Sequence, residues 1–485
     1  IIIKDLVNTF KTYKYLEYKI TSTDGGYNMT DYSYLPKSSS AEDVALAYEV
    51  SIDKGKTHTY IIEIKYVNDE EVDQSDDMGK TLSGTIYIRE FTKPTMKLTD
   101  KLMADNITIG TRDTFTAFTN TNTKTLYKAT EQIGTNAAKD VYYFAGNAEN
   151  NWVKFGKTTE SSCTYKSSSV LYVNMTNNIQ KNPENETECT STNICLASNG
   201  NYAVGLTESE CTNISGAKWI TDKATYSITT KDIYWRIIRT NADGSIKLLY
   251  AGTSPDTEKA YIGMSAFNTT YNDPMYVGYK YGTSGSLENN RTNENDSTIK
   301  TYVDNWYKNN LTDYTKFLSS DAVYCNDRNL VSGSTYSTTS GFDYASYGRL
   351  GGDTISPTYN CTNMSDAFSV NNTSAKLDYP IGLMSIDELS YAGGQAGTTL
   401  DAPYAWYYTN ANGESSYASA YFWSLSPYFW FGDFSYVWLV SGSGYPGDLG
   451  GSVVGGSSAV RPSVSLLSCN LISRGDGSAN NPYVV

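Results

Sequence analysis

Histidine is almost missing from this chain: His58 is the only one in 485 residues. A Ser-His-Asp triad could draw on that residue alone, and a metal site built from several histidines cannot form. His58 stands in the run GKTHTYIIEI, whose alternation reads as an exposed-edge strand, so it is expected to be a surface residue. No P-loop or HExxH motif occurs. Charge is also sparse, at 19% of residues, and no basic run occurs. With a formal net charge of −14 the chain repels phosphate backbones, which excludes nucleic acid as an expected partner. Asp and Glu total 52, but no pair stands out as a glycosidase-type couple.

The cysteines lack metal and redox spacing. Seven are scattered at positions 163, 189, 195, 211, 325, 361 and 469, with no CxxC. That pattern predicts disulfides and hence an oxidising exterior, with one thiol left free or paired elsewhere. The sequence does not choose among the three pairings of Cys163, Cys189, Cys195 and Cys211. No apolar run reaches the length of a membrane span, and no LPxTG-like sorting signal closes the chain. The chain opens Ile-Ile-Ile rather than Met, so any membrane attachment is expected through an N-terminal anchor upstream.

What the chain has is tyrosine, 43 of them, with Thr, Ser and Asn in proportion. Aromatic and β-branched side chains suit a pleated, half-buried surface, so strands should dominate. Residues 1–98 read as an all-β sandwich domain, a stalk or anchor. Tyr60, Ile62, Ile64 and Tyr66 should share one face, and a further strand is expected at Thr85–Arg89. The acidic loop between them (Asp69 to Asp77) lacks EF-hand spacing and reads as a solvated turn rather than a calcium site. The pattern KGKTHTYIIEIKY…GKTLSGTIYI resembles sandwich modules of surface proteins in low-GC Gram-positive bacteria.

Residues 99–139 read as a connector with some helix, and 140–485 as the main, α+β domain with 157–230 as a cysteine-containing insertion. DVYYFAGNAENNWVKFG suggests a hairpin turning near Asn147–Asn151, and Asp243-Gly244 a turn between two strands. Ser297–Asn310 has a helical apolar face, while Ser385 and Glu388 form a capping box on a helix stopped by Gly393-Gly394. A last strand is expected at Pro482–Val485, and Arg474-Gly475-Asp476 is read as a turn rather than an integrin-type signal.

The order WRIIRTNADGSIKLLY, STIKTYVDNWYKNNL, YCNDR, YPIGLMSIDEL, FWSLSPYFWFGDFSYVWLV, VRPSVSLL and GDGSANNPYVV carries a more informative resemblance. It is similar to C-type-lectin-like domains related to the formylglycine-generating enzyme, and within them to the variable proteins of diversity-generating retroelements. The resemblance implies a fixed scaffold supporting a rewritten, ligand-binding C-terminal segment. It also implies a disulfide between Cys325 and Cys361. It does not bring an enzyme with it: the catalytic relatives need a C-terminal cysteine pair, and only Cys469 lies beyond Cys361. Iron-dependent relatives need several histidines. No cofactor or metal is expected.

Residues 429–460 fit that scheme on their own composition. They contain eight Gly and seven aromatics but no Lys, Glu, Gln, Met or Asn. Randomising the adenines of AAT or AAC codons yields residues such as Phe, Tyr, Ser, Asp and Gly, and cannot yield Lys, Glu, Gln, Met or Trp. Trp438 is therefore scaffold, and Trp430 either scaffold or a departure that joins the binding residues. The expected ligand-binding, outward set is Phe429, Trp430, Asp433, Phe434, Tyr436, Leu439, Ser441, Ser443, Tyr445, Asp448, Ser452 and Ser457. Trp423, Leu425, Trp438, Val440, Leu449, Val454 and Val460 should point inward, and Arg461 should brace the fold through a carboxylate. Large aromatics with Ser, Gly and Asp are the composition of antibody paratopes. The expected function is an adhesin-like protein of the bacterial cell surface, binding a protein or glycan on another cell. A filament subunit without a variable site is the alternative.

Overall fold

The computed structural model describes all residues except 11–14, 36–37, 48–49, 51, 54, 70–72, 89–95, 116–124, 166–167, 171, 175–178, 182–188, 190–193, 197, 199–201, 205, 221–224, 398–404, 413–420 and 443–446. The chain divides into two compact units, Ile1–Thr95 and Met96–Val485.

The first unit holds two small antiparallel sheets. Ser38–Ala45 and Leu82–Tyr87 flank Ile2–Asn8 in one, and Ser33–Tyr34 and Ile61–Tyr66 flank Leu16–Thr21 in the other. Both contribute to one apolar cluster: Ile3 and Leu6 from the first, Leu16, Tyr18 and Ile20 from the second. Tyr60 and Ile62 pack partly against it, but Ile64 and Tyr66 are exposed, so the expected face of four is only half covered. The expected strand at Thr85–Arg89 begins earlier, at Leu82, and ends at Tyr87. In the acidic loop, Asp77 is buried and accepts from the Tyr66 hydroxyl at 3.0 Å. His58 Nδ1 lies 3.3 Å from the Tyr60 hydroxyl.

The second unit is mixed α+β, mostly strand. Its larger sheet runs from Ile381–Leu383 through Pro462–Leu466, Ile246–Tyr250, Thr225–Thr240, Lys139–Tyr143 and Thr125–Glu131 to Thr108–Gly110. The segment expected to be a connector belongs to this unit. Leu98 and Leu102, one helical turn apart in Leu98–Asp105, are both buried in the main core. The expected hairpin near Asn147 does not form either. Lys139–Tyr143 and Trp152–Tyr165 each pair with Thr225–Thr240 instead, and Asn151 joins that strand by accepting the Ile237 N–H at 2.7 Å. From this ribbon hangs the insertion, tied by Cys163–Cys189 and Cys195–Cys211. The third disulfide is Cys325–Cys361, with Cα atoms 5.8 Å apart, and Cys469 is free and exposed.

The local signals for the other elements correspond to structure. Gly244 takes φ +85° in the turn between Thr225–Thr240 and Ile246–Tyr250. Ser297 caps Thr298–Asn310, which buries Ile299, Val303 and Tyr307. Ser385 and Glu388 close a capping box on Ile386–Tyr391, and Gly393 takes φ +114° beyond it. Tyr483–Val484 pairs with Val153–Lys154. Gly475 has φ +109° and Asp476 accepts from the Ser478 N–H, so Arg474-Gly475-Asp476 is a turn.

A buried charge cluster ties sheet to helix. Arg239 and Lys247 lie directly opposite each other on paired strands, where two like charges would repel. Glu388 of the capped helix sits between them, 2.9 Å from Arg239 Nε and 2.7 Å from Lys247 Nζ, and Glu131 takes a second Arg239 nitrogen at 2.7 Å. Burial alone would raise the Glu388 carboxyl, but Lys247 and Arg239 together hold it below the usual glutamate range.

Candidate binding face

The glycine- and aromatic-rich C-terminal segment forms most of a second, six-stranded sheet. Phe422–Phe431 and Phe434–Val440 make a hairpin, Leu449–Val453 extends it, and Phe342–Asp343 pairs with the first strand near the tip. The tip is a two-residue turn in which Gly432 and Asp433 both take positive φ, +59° and +63°. That is the turn form whose twist suits a hairpin, and Gly and Asp tolerate it at little cost. Phe431 and Phe434 flank the turn directly opposite each other and are 67% and 39% exposed. Phe434 stacks on Tyr271, itself 42% exposed, with ring centroids 5.2 Å apart.

A bulge builds the rest of the face. The hairpin register moves three residues from Pro427 to Trp430 while its partner moves two, from Val437 to Ser435, so Tyr428 and Phe429 together oppose Tyr436. Neighbouring rings are thereby brought to one side: Tyr428 lies 4.3 Å from Phe429, and Phe429 lies 4.4 Å from Tyr436. At Gly451 the Tyr428 ring occupies the space a Cβ would need, and at Gly455 the Tyr271 ring approaches that space. An aromatic ring laid across a strand glycine, as at Gly451, recovers contact that the glycine lacks. Burial, then Tyr347, Asp448 and Asp343, push the Tyr428 hydroxyl up to about 12, so it stays protonated at neutral pH.

Strand parity decides where each expected residue goes. Ser435, Val437, Leu439 and Ser441 share one face, which is buried throughout. Leu439 and Ser441, expected outward, are therefore corrected to the core side. Trp430 pairs with Ser435 and is buried with it, so it is scaffold and not an exposed binding residue. Phe434, Tyr436, Trp438 and Val440 share the other face, but exposure falls along it. Helix Ala345–Leu350 covers the far half, Tyr347 packing 6.3 Å from the Trp438 ring and Ser346 accepting its indole N–H at 3.0 Å.

Of the remaining outward set, Asp433, Phe434 and Ser457 are exposed, while Phe429, Tyr436 and Asp448 are half-buried; Ser452, also half-buried, lies opposite Val437 and is corrected to that strand's core side. Ser443 and Tyr445 lie outside the described residues. All seven residues expected inward are buried. Arg461 donates to the Tyr250 and Tyr407 carbonyls and lies 4.9 Å from the Phe422 ring. Sequence reasoning missed Phe431, Tyr428 and Tyr271. The Gly432-Asp433 pair between two apolar runs was the signal that would have placed Phe431 at a tip.

Among the described residues three carboxylates, Asp296, Asp304 and Asp378, converge closely enough to hold a cation. The Lys300 ammonium already lies among them, 2.6 Å from Asp304, 3.0 Å from Asp378 and 3.3 Å from Asp296. Three disulfides are the mark of an oxidising, extracellular-type environment. Among the described residues no helix is long and apolar enough to cross a membrane. The chain matches no protein-family model, no curated protein and no solved structure.

Proposed function

We propose that this is an adhesin-like binding protein of the bacterial cell surface, whose second unit displays a diversified face on a C-type-lectin-like scaffold. The first unit, read as a β-sandwich, carries it as a stalk. The single observation behind this reading is the exposed tip cluster, Phe431, Phe434 and Tyr271, beside a strand whose other face, Ser435, Val437 and Leu439, is buried. Exposed aromatics gathered on one surface commonly mark interaction sites. The mixed α+β architecture and the Cys325–Cys361 bond are what the resemblance implies, and they support it. Binding, not catalysis, is the activity proposed.

The reading is tested with the full chain, fluorescently labelled, on a panel of bacterial and epithelial cells. The double variant F431A/F434A should bind any responsive cell at least about 30-fold more weakly, the loss expected for a hot spot of about 2 kcal/mol. Its unfolding midpoint should stay close to that of the parent, because both rings are exposed. Cells that bind the variant as tightly as the parent would remove the tip from the binding site.

A further inference from the structure

Resting on the binding-face reading, we propose that the partner is a protein segment rich in Lys and Arg. The 84 residues from Leu377 to Val460 contain no Lys, Arg or His but seven Asp and Glu. Two of those acids, Asp387 and Glu388, are buried against Arg349, Arg239 and Lys247, so they do not reach a ligand. Asp433 does: it is exposed at the hairpin tip between Phe431 and Phe434. A further carboxylate comes from outside the stretch. Asp343 pairs directly opposite Phe429, and opposed residues on antiparallel strands share a face. Among the described residues neither Asp433 nor Asp343 has an ion-pair partner. Arg349, two residues beyond Tyr347, is committed to Asp327 and Asp387.

The face therefore combines unpaired carboxylates with the negative faces of aromatic rings, and its segment supplies no positive charge. Cations are attracted to both parts: to the carboxylates by charge and to the rings by their quadrupole. A guanidinium suits the surface best, since it stacks flat on a ring and bonds a carboxylate in the same plane. Sialylated or sulfated glycans and nucleic acid would meet like charge. Neutral sugars could stack on the rings but would leave the carboxylates without a counter-charge, which is why a basic protein segment is favoured over a glycan.

The probe is a phage-displayed library of random dodecapeptides, selected on the intact full chain, with an array of neutral and sialylated glycans run beside it. Selected peptides should be enriched in Lys and Arg. Their binding should fall at least tenfold for F431A/F434A and several-fold for D433N, which retains the turn because Asn also tolerates positive φ. It should also weaken as salt is raised. Peptides that need Phe431 and Phe434 without any excess of Lys or Arg would overturn this inference while leaving the binding face standing. So would neutral glycans binding at those rings. Peptides and glycans that bind regardless of F431A/F434A, or the absence of any binder, would count against the face itself.

Discussion

Replacing Glu388 by Ala should destabilise the second unit by about 3–5 kcal/mol, because it removes one side of a buried ion cluster and leaves two cations facing each other. Arg239 would keep Glu131, but Lys247 would lose the only ion-pair partner it has among the described residues. The Ser385 N–H would lose the side-chain half of the capping box as well. Urea unfolding followed by tryptophan fluorescence measures the loss. Trp235, Trp406, Trp423 and Trp438 are all buried in the same core, so they report on this unit. The pH dependence has a definite sign. Glu388 titrates below its ordinary 4.5 in the folded chain, so its stabilisation is complete above that value and fades as pH falls through the lower, folded one. The parent should therefore lose stability on acidification faster than E388Q. Parallel curves would show that Glu388 contributes no charge-dependent stability.

Opening the Cys325–Cys361 bond with C325S/C361S should cost about 4 kcal/mol by the loop-closure relation for residues 36 apart. The bond fastens the strand Tyr324–Cys325 to the turn beside Ile133, where Cys361 accepts the Gly134 N–H at 3.0 Å through its carbonyl. It also lines the region around Arg239, Lys247 and Asp387, so part of its effect should pass through the ion cluster. Combining C325S/C361S with E388A tests that link: a total loss smaller than the sum of the separate ones is expected for coupled neighbours. Full additivity would make the two devices independent. Serine in place of C469 should change nothing, because that thiol is free and exposed.

Elements with local punctuation were legible in the sequence. The caps at Ser297 and Ser385, the Asp243-Gly244 turn and the Cys325–Cys361 bond depend on a few residues near one another or on a known pattern. Non-local pairing was not legible. Nothing between Asp140 and Gly156 says that both flanking strands will join Thr225–Thr240 rather than each other. The 99–139 stretch reads as a connector because Leu102 and Leu126 reveal their burial only once the core behind them exists. In the candidate face, composition marks the segment, but simple alternation along the chain does not assign its residues to faces. Leu439 and Ser441 fall on the same strand face as Ser435 and Val437, and two register shifts in Phe422–Phe431 reset the alternation on its partner. The covering of Trp438 by helix Ala345–Leu350 also required the fold, since Phe434 at the tip shares its strand face and remains open.

Repeated sequencing of the gene from many lines descended from one clone tests whether the tip and its flanks are a diversified binding face on a constant scaffold. Substitutions should concentrate at positions whose side chains reach the surface, Phe429, Phe431, Asp433, Phe434, Tyr436 and Ser457. Trp423, Leu425, Trp430, Trp438, Leu439 and Val440, all buried, should stay unchanged. Substitutions spread evenly over buried and exposed positions, or no excess of change in residues 429–460 over the rest of the chain, would contradict it.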